Sequence, residues 1–282
     1  MLRKMDPDLK VGLALGSGAA LGMAHIGVIK ALREANIPID MIAGTSMGAL
    51  VGACYSADGQ IADMEELALT ANLRRITRLL DPKFTLIRIG FIQGKRVENF
   101  LKPIIGDRDI NQCKIPFAAV ATDIHSARQV IITQGSLLTA VRASISIPVV
   151  FVPVHYEGRY LVDGGALNPV PADVVKSMGA TFVIAVNVLN DPKKRIHLGL
   201  TGNKKSSRAP GIMNTLIQSI YIMEYEMVRS SILKADIMIE PDVSNIEIYE
   251  FHRGTEAIAA GYRAAKAVVP EIKRMLDGQP LT

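Results

Sequence analysis

The sequence predicts an α/β domain in which a mainly parallel sheet is covered by helices. Three observations carry that expectation. Short apolar runs alternate with helix-patterned segments along the chain. Two of the N-terminal runs pass directly into glycine-rich turns that open helices. A chain of 282 residues with 49% hydrophobic content is long enough to bury such a sheet in one domain.

The first run, Leu9 to Leu15, reads as a buried strand and leads into Gly16-Ser17-Gly18-Ala19-Ala20-Leu21-Gly22. A helix is expected from near Met23, amphipathic through His25, Lys30 and Arg33. Small residues let the loop's backbone amides approach a ligand closely, and a loop at a helix N-terminus suits an anion, either a phosphate or the oxyanion of an acyl intermediate. A dinucleotide fingerprint fits poorly. Leu21 stands where its third glycine belongs, and the second strand ends in Gly44 rather than in an acid.

The second run, Ile37 to Ala43, meets Gly44-Thr45-Ser46-Met47-Gly48 and then a helix-like stretch from Ala49 to Tyr55. A G-x-S-x-G turn between strand and helix is a nucleophile elbow, holding the serine hydroxyl outward on a strained turn. Gly44 and Gly48 let the backbone bend without a Cβ clash, and the helix that begins at Ser46 points free N–H groups toward developing negative charge. The competing reading is a packing turn with a serine cap.

Further along, Ile61 to Leu80 is helical in pattern and Phe84 to Phe91 extended. Strands are expected at Phe117 to Thr122, Gln129 to Thr133, Tyr160 to Val162, Phe182 to Val188 and Ile237 to Glu240. Tyr160 to Val162 runs into Asp163-Gly164-Gly165, where an aspartate freed by two glycines can point into a site at the sheet's carboxyl edge; an ordinary Asp-Gly turn is the alternative. Ile212 to Leu233 carries Leu216, Ile220, Met223 and Met227 at helical spacing, a pattern for a core or oligomer contact or for acyl chains. Thr255 to Leu276 reads as a packing helix over the sheet, and no internal repeat is present.

Taken in order, the loop Gly16 to Gly22, the elbow Gly44 to Gly48 and Asp163 to Gly165 resemble the motifs of the patatin-like phospholipases. Ala143 to Pro153 is similar to that family's segment before the aspartate, and the resemblance runs from about Lys10 to at least Val188, closest in character to bacterial members related to the neuropathy target esterase catalytic domain. It implies a three-layer α/β/α patatin-like fold, a single domain with its core at about 10–188, and C-terminal helices over 212–276 packed on it.

The resemblance also implies a serine lipid acyl hydrolase acting on phospholipids, lysophospholipids or related lipid esters, with no cofactor or metal. Ser46 would attack the ester carbonyl while Asp163 takes its proton, and water would cleave the acyl-enzyme. Backbone amides around Gly16, Ser17, Gly18 and Ala19 would hold the oxyanion, their side chains mattering little. The family usually has Arg or Lys before the last glycine of that loop. Here Leu21 occupies the position, which removes direct electrostatic help from a cation there and leaves stabilisation resting chiefly on backbone N–H donors. An acyltransferase using the same acyl-serine and a noncatalytic lipid-binding member are the competing classes.

A histidine base is the natural rival to the dyad. His25 lies one turn into the first helix, where it is expected to pack or to position the loop. His125, His155, His197 and His252 sit in turn-like or polar settings, none at a strand end after Asp163 as an α/β-hydrolase order requires.

Composition bounds the rest. Mean hydropathy is +0.25, yet no run of about 18 apolar residues offers a membrane span. Arg3, Lys4 and Lys10 precede a small-residue run that holds the oxyanion loop rather than an export signal. Two cysteines, Cys54 and Cys113, give neither a disulfide framework nor a metal cluster, so a cytoplasmic protein is expected, with peripheral contact at the inner leaflet as its membrane option. Two basic stretches, Leu73 to Phe91 and Asn190 to Pro210, suit either an amphipathic flap and mobile loop at lipid or simply solvated surface. A net charge of +5 is compatible with anionic lipid, and no nucleic-acid-recognition motif accompanies it. Nothing in the pattern sets an oligomeric state.

Overall fold

A computed structural model of the chain describes residues 8–61, 65–66, 94–189 and 211–278. The helix expected from Ile61 to Leu80 falls almost wholly outside them, as do the extended 84–91 segment and the basic stretches 73–91 and 190–210. The described elements run β1 (Val11–Leu15), α1 (Ala24–Glu34), β2 (Met41–Thr45), α2 (Met47–Asp58), α3 (Gly94–Ile105), β3 (Phe117–Asp123), β4 (Arg128–Ile132), α4 (Leu137–Ser144), β5 (Val154–Tyr156), β6 (Arg159–Asp163), α5 (Ala172–Ser177), β7 (Phe182–Val186), α6 (Ile212–Ser231), β8 (Ile237–Ile239) and α7 (Gly254–Leu276). One sheet takes them in the order β5-β6-β3-β2-β1-β7-β8, with β4 also on β3.

The central strands β3, β2, β1, β7 and β8 are parallel, whereas β4 and β6 run antiparallel to β3 and β5 antiparallel to β6. All residues of β1, β2, β3 and β7 are buried, as befits parallel strands covered on both faces. The layers follow from side-chain alternation. A Cβ on Gly52 of α2 would meet Leu15, whereas one on Gly12 would meet Val175 of α5. Residues 12 and 15 face opposite sides of a strand, so α2 and α5 lie on opposite faces and the domain has three layers.

The strand of the second apolar run starts at Met41 rather than Ile37. Pro38 lacks an N–H for the ladder, and the Asp40 carboxylate instead accepts the Val11 N–H at 2.6 Å, closing the corner before β2.

Helices α1 and α7 touch backbone to backbone. A Cβ at Gly27 would stand 1.9 Å from the Ile258 carbonyl oxygen, and one at Gly261 would stand 1.9 Å from that of Ala24. Backbone cannot yield as a flexible side chain does, so each helix must part from the other to admit a methyl group. Gly261→Ala is therefore expected to lower unfolding free energy by roughly 2 kcal/mol despite the alanine's helix propensity. Urea denaturation checks this, and an unchanged or raised midpoint contradicts the close contact.

Candidate active site

Strand register brings the two motifs together. Residues 119–123 of β3 pair with β4, residues 117–120 with β2, and residues 121–123 with β6. A strand has two edges, so β2 and β6, which each share β3 residues with β4, must both lie on the edge opposite it. They approach end to end: Thr45 pairs with Val120 and Asp163 with the next residue, Ala121. Ser46 follows Thr45 directly. Two strands of opposite direction thus deliver their carboxyl ends to one point.

At that point the Ser46 hydroxyl donates to Asp163 Oδ2 at 2.6 Å, with both residues buried. Ser46 has φ 56° and ψ −121°, an unusual conformation for a residue with a Cβ and one that costs on the order of 1–3 kcal/mol. Its N–H donates to Ser144 Oγ at 2.9 Å, and that hydroxyl donates to the Val120 carbonyl at 2.6 Å. Close approach explains the elbow glycines. A Cβ on Gly44 would fall 2.5 Å from Ala49 N, and one on Gly48 would fall 2.2 Å from the Leu15 carbonyl oxygen.

Asp163 is held from three sides. Its Oδ1 accepts the Gly165 N–H at 2.8 Å, its own N–H donates to the Ser146 carbonyl at 2.9 Å, and a Cβ on Gly164 would fall 2.3 Å from the Val120 carbonyl oxygen. The Ser146 hydroxyl in turn accepts from the buried Arg142 guanidinium at 2.6 Å. Burial pushes the Asp163 carboxyl well above the usual carboxylate range, and the Ser46 hydroxyl and Gly165 N–H draw it part of the way back.

The glycine-rich loop is fixed differently from what the sequence suggests. The N–H of Gly16 donates to Val186 O and that of Ser17 to Pro169 O, so neither is free to hold an oxyanion; both assignments are corrected on that ground. Gly18 (φ 154°) and Ala19 (φ 46°) turn the chain so that their N–H groups have no backbone or side-chain acceptor among the described residues, and both line the pocket that holds Ser46 and Asp163. His25 positions this loop. Burial lowers its pKa to about 4, so the neutral ring donates through Nε2 to the Gly16 carbonyl at 2.8 Å. Leu21 is fully buried and does not line the pocket.

That pocket encloses about 50 Å³ and is walled by Ile147, Ile248 and the α6 residues Ile217, Ile220 and Tyr221. A further α6 residue, Glu224, lines it as well and accepts the Ser17 hydroxyl at 2.8 Å. The stripe expected on this helix is met only in part: Leu216 and Met223 are exposed, Ile220 lines the pocket together with Ile217, Tyr221 and Glu224, and Val228 is buried one turn further on. An acid spaced three or four residues from Ile220, Tyr221 and Val228 was the available signal. Among the described residues no group of three His, Cys, Asp or Glu side chains is arranged to hold a metal, and no helix is long and apolar enough to cross a membrane.

This geometry accords with what the chain is similar to. Residues 13–176 match the family model described as patatin-like phospholipase, and the chain belongs to that family. It is 42% identical over 179 residues to an uncharacterised NTE family protein of Mycobacterium tuberculosis, covering 64% of this chain and 49% of that one. It is 36% identical over 184 residues to neuropathy target esterase sws of Drosophila melanogaster, covering 63% of this chain and 13% of that one. The matches thus span about half the length of the mycobacterial relative and a small part of the insect one. The crystal structure of VipD from Legionella pneumophila shares the fold, with a TM-score of 0.52 at 15% identity over 95% of this chain and 68% of that one.

Ser144 ties the strained serine to the strand beneath it. Ser144→Ala leaves the buried Ser46 N–H without its acceptor and is expected to cost about 1–3 kcal/mol of stability. Thermal or urea unfolding reads this, and a variant as stable as the wild type contradicts the assigned link.

Proposed function

We propose that this chain is a serine lipid acyl hydrolase that cleaves carboxylic esters of phospholipids, lysophospholipids or related lipids through Ser46 and Asp163. The observation that carries this reading is the 2.6 Å hydrogen bond from Ser46 Oγ to Asp163 Oδ2 in a pocket bordered by the Gly18 and Ala19 amides and by apolar walls. Membership in the patatin-like phospholipase family supports it.

The geometry suits the following chemistry. Ser46 Oγ attacks the ester carbonyl as Asp163 takes its proton, and the carbonyl oxygen, now anionic, is received by the Gly18 and Ala19 N–H groups and the start of α2. An ordinary carboxylate is a weak base toward a hydroxyl. Burial of Asp163 raises its affinity for the proton, which narrows that mismatch. Isoleucines on both sides of the pocket provide an apolar lining suited to a hydrocarbon chain.

Two outcomes are expected. Ser46→Ala and Asp163→Asn each lower turnover of phospholipid and fluorogenic ester substrates by at least about a hundredfold. Retained hydrolysis in either variant overturns the dyad. Because only ionised Asp163 can act as base and its pKa is raised, kcat/KM rises with pH along a limb displaced above the usual carboxylate range. A limb at the pH of an ordinary aspartate contradicts this environment.

A further inference from the structure

The pocket holds a second carboxyl group that the dyad leaves without a role. Glu224 reaches in from α6, and its Oε2 accepts the hydroxyl of Ser17, next to the oxyanion donor Gly18. Its Oε1 lies against Gly165, where a Cβ would fall only 2.4 Å away; the N–H of that same residue donates to Asp163 Oδ1. Both carboxyl groups therefore abut Gly165. Among the described residues no Lys, Arg or His lines the pocket to neutralise a second negative charge. The described titratable groups that line it are Asp163 at the end of β6, and Tyr221 and Glu224 on α6; His25, beneath the loop, is neutral.

Resting on the hydrolase reading above, we infer that Glu224 is the general acid that protonates the departing alcohol. Two acids in one pocket whose surroundings separate their protonation states divide into a base and an acid. Desolvation in the pocket, and the charge of Asp163 once it ionises, both raise the Glu224 carboxyl and favour its protonated form, while the Ser17 hydroxyl draws it part of the way back. The Ser17 hydroxyl occupies Oε2, leaving Oε1 to carry the proton.

The proton inventory closes over the cycle. In acylation the Ser46 Oγ–acyl bond forms as Asp163 takes the serine proton, and the ester C–O bond breaks as the leaving oxygen takes the proton of Glu224. In deacylation water attacks the acyl carbon and gives a proton to the Glu224 carboxylate. The acyl–Oγ bond then breaks, and Ser46 recovers its proton from Asp163. Both carboxyl groups end as they began, and the net change is ester plus water to acid plus alcohol.

Leaving-group dependence separates this role from a structural one. An alkoxide needs a proton to depart, whereas p-nitrophenolate does not. Single-turnover acylation, with enzyme in excess, is measured for an alkyl ester and a p-nitrophenyl ester of the same acyl chain. Glu224→Gln is expected to slow the alkyl ester by about a hundredfold or more and the p-nitrophenyl ester by less than about threefold. The wild type gives a test free of any folding defect: the alkyl ester slows as Glu224 ionises on the alkaline side, and the p-nitrophenyl ester does not. Equal losses for both esters in the variant, or parallel alkaline limbs in the wild type, overturn the role of Glu224 alone. Absence of Ser46 acylation in the wild type overturns the dyad, and this inference with it.

Discussion

The site depends on one constraint, the sharing of a single edge of β3 by two strands that meet head to head. Because Val120 is the last β3 residue paired with β2 and Ala121 pairs with Asp163, the carboxyl ends of β2 and β6 have no freedom to drift apart. The hydrogen bond between Ser46 and Asp163 is then a consequence of sheet register rather than of loop placement. The Val120 carbonyl reinforces it, accepting from Ser144 beneath the elbow and lying close against Gly164 beside the aspartate. Residues 117 apart in the chain are brought together by pairing within the central sheet.

Around that junction the protein accepts several unfavourable features. Ser46 has a strained backbone, Asp163 is an acid removed from water, and His25 is buried with Nδ1 unpartnered among the described residues. A core continuous from β1 through α1, α2 and α7 offsets such terms, aided by the close backbone contact at Gly27 and Gly261. Each strained or desolvated group is also held by a specific partner: Ser144 for the elbow, Gly165 and Ser146 for the aspartate, Gly16 for the histidine. Rigid support of this kind is what a preorganised reaction centre requires.

Much of this was legible from local signals. Apolar runs ending in glycine turns located β1 and β2, and the alternation of strand and helix patterns fixed the fold class, because parallel strands buried on both faces need nearly continuous hydrophobic sequence. Ser46 and Asp163 were readable as motif residues, yet their contact depends on β3, whose sequence, Phe117–Asp123, says nothing of which strands take which edge. The same limit explains the loop. Composition shows small residues from Gly16 to Ala19, but which amides remain free depends on the carbonyls of Val186 and Pro169, contributed by distant segments. The three-residue edge strand β5 is too short to display a period, and in α3 the helical spacing of Val97, Phe100, Leu101, Ile104 and Ile105 is obscured by Pro103, a residue that argues against a helix interior. Glu224 stands at helical spacing from Ile220, Tyr221 and Val228, yet its place in the pocket is set by how α6 packs over the site, which local sequence does not show.

Exposing the protein briefly to an activated long-chain ester, quenching in acid and locating the adduct by peptide mass spectrometry tests the central claim most directly. The account predicts an acyl group on Ser46 that forms in the wild type, disappears on further incubation in water, and fails to accumulate at the wild-type rate when Asp163 is Asn. An acyl group formed on another side chain, or ester cleavage proceeding while residue 46 stays unmodified throughout, would contradict it.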